Sequence, residues 1–84
     1  MYFVYVLHSG EDRKFYIGYT ENLNRRLSEH KSGNVYSTSR IKNPSLVYYE
    51  AYISCEDARR REQYFKTSKG KRTLNLMLRD TLLP

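Results

Sequence analysis

Tyr2-Phe3-Val4-Tyr5-Val6-Leu7, followed by Phe15-Tyr16-Ile17-Gly18-Tyr19, is the stretch from which the fold is read. In the first segment both alternating sets are apolar, Tyr2/Val4/Val6 and Phe3/Tyr5/Leu7. That predicts a strand covered on both faces. The second puts Phe15, Ile17 and Tyr19 on one face and Tyr16, Gly18 and Thr20 on the other. Between them, His8 to Lys14 carries Ser-Gly-Glu-Asp and reads as a loop. A loop this short makes the two strands an antiparallel hairpin. A turn centred on Gly10-Glu11 would set Tyr5 opposite Tyr16.

Working outward, Thr20 or Asn22 can cap a helix that runs to about Ser32, with Gly33 as its stop. The inner stripe of that helix is Leu23, Arg26, Leu27 and His30. Residues 33–44 are polar and read as a long loop, a length that in a compact domain usually serves function. Leu46 to Ile53 is rich in tyrosine and reads as a third strand. Ser54 with Asp57 resembles a capping box and opens a second helix, which runs to about Thr67 or Ser68 and ends at Gly70. Its stripe is Cys55, Ala58, Glu62 and Phe65. A third helix from about Lys71 to Leu83 buries Leu74, Met77, Leu78 and Leu82. The expected architecture is one α+β domain over residues 1–84, a three-stranded antiparallel sheet flanked by helices in the order β-β-α-β-α-α.

Composition narrows the function. Eighty-four residues bury roughly 60–65% of the unfolded surface, enough for one core. A single cysteine, Cys55, rules out an internal disulfide or a cysteine zinc cluster and fits a reducing cytoplasm. No apolar run approaches the roughly 18 residues that span a bilayer, and no leader pattern is present, so neither membrane nor secretion is expected. The net charge of +6 and pI of about 9.6 favour a polyanionic partner. Basic residues crowd Arg59 to Arg72. Since no amphipathic helix carries a lipid-inserting aromatic face, nucleic acid leads.

Two charges break the apolar pattern. Arg26 shares a stripe with two leucines, and Glu62 lies between Ala58 and Phe65. An unpaired buried charge costs several kcal/mol, so each needs a partner, a ligand or water. Bland solutions exist: Arg26 can snorkel to solvent, and Glu62 can pair with Lys66 one turn on. Phosphodiester cleavage gives both residue types another reason. A guanidinium forks onto phosphate oxygens and stays charged. One carboxylate suits Mg²⁺, which keeps several waters and takes phosphate as a further ligand. A tyrosine can hold the attacking water, and can deprotonate it only if its pKa of about 10 is pulled down. His30 titrates near neutrality and can act as the base or relay a proton from a tyrosine. Gly18, on the face of Tyr16, would let a nucleic-acid backbone come close. Lys66, Lys69, Lys71 and Arg72 form either a solvated face or a phosphate track, and Thr38, Arg40 and Lys42 add contacts from the long loop. Most of the nine tyrosines read as sheet packing, Tyr2, Tyr48, Tyr49 and Tyr52 among them. Tyr36 could stack on a base.

These residues resemble the GIY-YIG nuclease superfamily, in particular its small single-domain bacterial members related to the nicking subunit of nucleotide excision repair. Phe3-Val4-Tyr5 stands where Gly-Ile-Tyr gives the family its name, with the tyrosine kept. Tyr16-Ile17-Gly18 is the intact second motif. The family's arginine falls on Arg26, its histidine on His30 and its metal-binding glutamate on Glu62, with Lys66 four residues further on. Asn43-Pro44-Ser45-Leu46-Val47-Tyr48 matches the lead-in to the third strand. The family's later polar asparagine has Leu74 in its expected region and Asn75 one residue off. The resemblance covers essentially the whole chain. It implies Mg²⁺- or Mn²⁺-dependent cleavage of DNA strands, with Tyr5, Tyr16, Arg26, His30 and Glu62 catalytic. Three readings follow: a metal-dependent endonuclease in DNA repair or processing; a nucleic-acid-binding module that does not cleave, or cleaves only with a protein partner that supplies DNA specificity; and an adaptor using the tyrosine-rich sheet.

Overall fold

The computed structural model describes residues 1–33 and 43–83. The elements run β1 (Tyr2–Ser9), β2 (Lys14–Thr20), α1 (Leu23–Lys31), β3 (Ser45–Tyr52), α2 (Cys55–Phe65) and α3 (Ser68–Met77). This is the expected β-β-α-β-α-α order. The sheet is antiparallel with β1 in the middle, in the order β2-β1-β3. The central position explains the doubly apolar sequence of β1. Val4, Tyr5 and Val6 are fully buried, and Leu7 nearly so.

The hairpin register differs from the sequence expectation. Tyr5 faces Gly18, and Tyr16 faces Leu7. The turn takes four residues rather than two, because Ser9 pairs with Lys14. Arg13 closes it in the left-handed region at φ 52°, with its N–H donating to Ser9 O at 2.7 Å. The slip is two residues, an even number. Side chains therefore keep their faces, and Tyr5 and Tyr16 stay on the same side of the sheet as diagonal neighbours. On the other edge Val6 pairs with Tyr48 but Leu7 with Leu46. Val47 is thus the extra residue of a β-bulge, and both Val47 and Tyr48 pack on the core.

One face of the sheet carries that core. Val4, Val6 and Ile17 meet Ala58 and Phe65 of α2 and Leu74 and Leu78, on and just past α3. The other face carries Tyr5 and receives α1. Each helix starts on a side-chain cap, as orphan N–H groups require: Asn22 Oδ1 accepts from Arg25 N–H, Ser54 Oγ from Asp57 N–H, and Thr67 Oγ1 from Gly70 N–H. Gly33, at φ +79°, follows α1 as expected.

Two helix boundaries are corrected. Gly70 does not end the second helix. It is buried within the first turn of α3, and a Cβ there would lie 1.9 Å from Tyr64 O. Its missing side chain lets α3 abut the end of α2. The third helix accordingly starts three residues earlier than expected and stops at Met77, which is 43% exposed rather than buried. Among the described residues no helix is long and apolar enough to cross a membrane.

Candidate active site

The site is assembled by β1, β2 and α1. Tyr5 is held on the central strand with no exposed surface. Its ring lies over Gly18, where a Cβ would come within 2.3 Å of the phenol. The glycine therefore has a packing reason that its sequence position alone did not reveal. On α1, positions 26 and 30 are one turn apart and face the sheet together. The Tyr5 hydroxyl meets His30 Nε2 at 2.7 Å, and Arg26 Nε–H donates to the same oxygen at 3.2 Å. Tyr16 completes the cluster, its ring 6.2 Å from that of Tyr5 and 5.0 Å from the imidazole, edge-on to the latter. Arg26 NH1 also donates to Glu29 Oε1 at 3.0 Å, a partner the sequence reading did not single out.

The electrostatics separate the roles. Burial pushes Tyr5 up to about 12, and the hydrogen bond from Arg26 only partly offsets this. The expectation of a lowered tyrosine is thus reversed for Tyr5, which stays a neutral phenol. His30 lies below its ordinary value, chiefly because it is buried and secondly because Arg26 is cationic, with Glu29 acting the other way. A neutral imidazole at pH 7 has one nitrogen lone pair to offer. Arg26 can only donate, so the simplest proton arrangement has Tyr5 O–H donating to His30 Nε2. Arg26 is held firmly charged by its bonds to Tyr5 and Glu29. It donates to the Tyr5 hydroxyl and to Glu29 and also bonds the Tyr16 side chain, while its own side chain remains 35% exposed. The Tyr16 side chain is within hydrogen-bonding reach of both Tyr5 and Arg26, and no buried side-chain polar atom among the described residues lacks a partner.

Glu62 stands apart. It lies on α2, the helix that packs on the opposite sheet face. Its Oε2 pairs with Lys66 Nζ at 3.1 Å, and its side chain is 13% exposed. Among the described residues no hydrogen bond or ion pair joins it to Tyr5, Tyr16, Arg26 or His30. No group of three or more potential metal-ligating side chains occurs among the described residues. A single carboxylate fits an ion such as Mg²⁺ that keeps most of its water. It does not fit an all-protein metal cage.

Lys69, Lys71 and Arg72 are exposed along the first turns of α3, and Lys66 precedes them at the end of α2. Asn75 is exposed, its amide donating to Lys71 O. Thr38, Arg40, Lys42 and Tyr36, with most of the expected long loop, fall outside the described residues. Sequence reasoning missed one polar centre. Glu50 accepts from the hydroxyls of Tyr48 and Tyr52 and takes both prongs of Arg61, at 3.0 and 3.1 Å. These bonds outweigh burial and hold its carboxyl below the usual value, while Arg61 stacks 4.3 Å over Phe65. The signal was present in Tyr48-x-Glu50-x-Tyr52, where strand alternation puts a carboxylate between two core-facing phenols.

The GIY-YIG catalytic domain family model matches residues 1–75. The chain belongs to the GIY-YIG family. It is 40% identical over 70 residues to a UPF0213 protein of Streptococcus pyogenes, covering 82% of this chain and 75% of that one. A UPF0213 protein of Limosilactobacillus reuteri is 38% identical over 68 residues, covering 77% and 70%. Among solved structures, the solution NMR structure of a UPF0213 protein from Bacillus halodurans matches with TM-score 0.57 and 32% identity, over 92% of this chain and 85% of that chain. The family is one of nucleases. The Tyr5–Tyr16–Arg26–His30 cluster lies within the matched residues 1–75.

Proposed function

We propose that this chain hydrolyses DNA phosphodiester bonds on the Tyr5–Tyr16–Arg26–His30 face, with Mg²⁺ or Mn²⁺ held at Glu62. The observation that carries the reading is the Tyr5 hydroxyl bridging Arg26 and His30. A phenol used only for packing would not need a guanidinium on one side and a neutral imidazole on the other. In this scheme the remaining Arg26 donors grip the non-bridging phosphate oxygens, whose charge grows as the bond to the attacking water forms. Tyr16 orients that water. As the water oxygen attacks phosphorus, its proton passes to the Tyr16 hydroxyl, the Tyr16 proton to the buried Tyr5 oxygen, and the Tyr5 proton to His30 Nε2. The phenolate never accumulates, consistent with a Tyr5 pKa of about 12. The P–O bond on the opposite side of phosphorus breaks, and the leaving oxygen takes a proton from solvent to become a hydroxyl. A divalent ion at Glu62 would supply charge neutralisation and Lewis acidity. The role that follows is cytoplasmic DNA repair or processing, with Lys66, Lys69, Lys71 and Arg72 contacting the backbone. Phosphate contacts of this kind position DNA without reading its sequence, so specificity would come from a protein partner.

A second reading has its own support. The pairing of Glu62 with Lys66, and the lack among the described residues of any bond from it to the cluster, favours a module that binds nucleic acid without cutting or cuts only once a partner rearranges the site. Incubating nicked, branched and plasmid DNA with Mg²⁺ or Mn²⁺ tests both. Cleavage by wild type that is absent from Glu62→Gln and Arg26→Ala is the expected result. Retarded mobility without cleavage would replace the first reading by the second.

A further inference from the structure

A cavity of about 890 Å³ lies away from the tyrosine cluster and shares none of its described lining residues with it. It opens where the β1–β2 hairpin turn meets the end of α3. Arg13, Lys14 and Lys71 line it, with Asn75 beside them, and none of its lining residues is acidic. Its apolar wall includes Phe15, Val47 and Leu82, all half-buried. The His8 and Phe15 rings pack 5.0 Å apart at its edge and form an aromatic ledge. Two features mark this cleft as more than a gap between elements. Cations and an aromatic pair line the same cleft, groups that suit a phosphate joined to a flat ring. Arg13 also occupies a left-handed turn position, at φ 52°, which favours glycine and disfavours a long L side chain. A strained non-glycine residue that lines a basic cleft points from conformation toward function.

The geometry points to this cleft as a binding site for a nucleotide, with its phosphate against Arg13, Lys14 and Lys71 and its base against the His8–Phe15 ledge. A cavity of this size holds a small ligand rather than a folded partner. The nucleotide is either a free monophosphate or one unit of a single strand. The inference does not rest on hydrolysis at Tyr5 and survives if that activity is absent.

The full chain, isotopically labelled, is titrated by NMR with four probes: deoxyadenosine monophosphate, deoxyadenosine, inorganic phosphate and a single-stranded deoxyadenosine tetranucleotide. The expected result is saturable shifts of the Lys14, Phe15, Val47 and Lys71 amides with the monophosphate, at concentrations where nucleoside and inorganic phosphate leave them unmoved. Arg13→Gly and Lys14→Gln should each weaken this binding by about fivefold, the loss of one charged contact. Arg13→Gly should leave Tm unchanged or higher, because it relieves the turn. Tighter binding of the tetranucleotide than of the monophosphate identifies a strand as the source; the reverse identifies a free nucleotide. Equal shifts with inorganic phosphate alone would overturn the proposal. So would shifts confined to the Tyr16–His30 side, or unchanged binding by both variants.

Discussion

Tyr5 carries three tasks on one hydroxyl: it fills the space over Gly18, accepts from Arg26 and meets His30. Tyr5→Phe keeps the ring and strips the hydroxyl, removing one hydrogen-bond partner from each of Arg26 and His30. Removing a proton-transfer group typically costs about 10²–10⁴-fold in rate. Nicking by Tyr5→Phe should fall within that range, with near-native circular dichroism. Gly18→Ala attacks the same centre sterically. The new methyl collides with a buried ring, so chemical denaturation should show a loss of about 1–3 kcal/mol, as overpacking does. His30 makes the site sensitive to acid. Its pKa is lowered by folding, so the unfolded chain binds its proton more readily. The stability it contributes is present above its ordinary value near 6.5 and is lost as pH falls toward the folded value. Urea midpoints from pH 7.5 to 5 should therefore drop less steeply in His30→Asn than in wild type. His8 is lowered too, by burial, so His8→Asn is the necessary control.

At the scale of elements, Gly70 sets how α2 meets α3. Gly70→Ala would drive a methyl into Tyr64 O, and backbone cannot swing aside as a flexible side chain can. A loss of about 1–3 kcal/mol in thermal unfolding is expected, whereas an ordinary helix-interior site would gain from the same change. The boundaries also show what local sequence can carry. Caps at Asn22 and Ser54 were legible because the signal and the bond lie within three residues. The apolar alternation of β1 announced a central strand for the same reason. The role of Gly70 was not legible: a glycine after an apolar stripe reads as a stop, and only the approach of another helix makes it an interior contact. The hairpin register was missed because the turn depends on Arg13 accepting a left-handed conformation, which its residue type does not advertise. The faces survived because strand periodicity is two and the slip was even.

For the whole molecule, the sheet divides the labour. One face packs Val4, Val6 and Ile17 under α2 and α3, while the other presents the Tyr5 cluster under α1. That Arg26 and His30 meet was legible because one helical stripe places both. The placement of Glu62 was not, since it depends on how a distant helix crosses the sheet. Charge also acts at this scale. With a net +6, DNA affinity should fall steeply with salt. Lys69→Gln and Arg72→Gln should each reduce the log–log salt slope by about 1 if they touch phosphate. The measurement that goes straight to the central claim is Mn²⁺-dependent plasmid nicking by Arg26→Ala, Glu62→Gln and the double variant. Residues that act as one unit on one phosphate lose rate non-additively. The account predicts that each single variant loses most of the activity and that the double loses hardly more than the worse single. Multiplying losses, or single variants that nick like wild type, would contradict it.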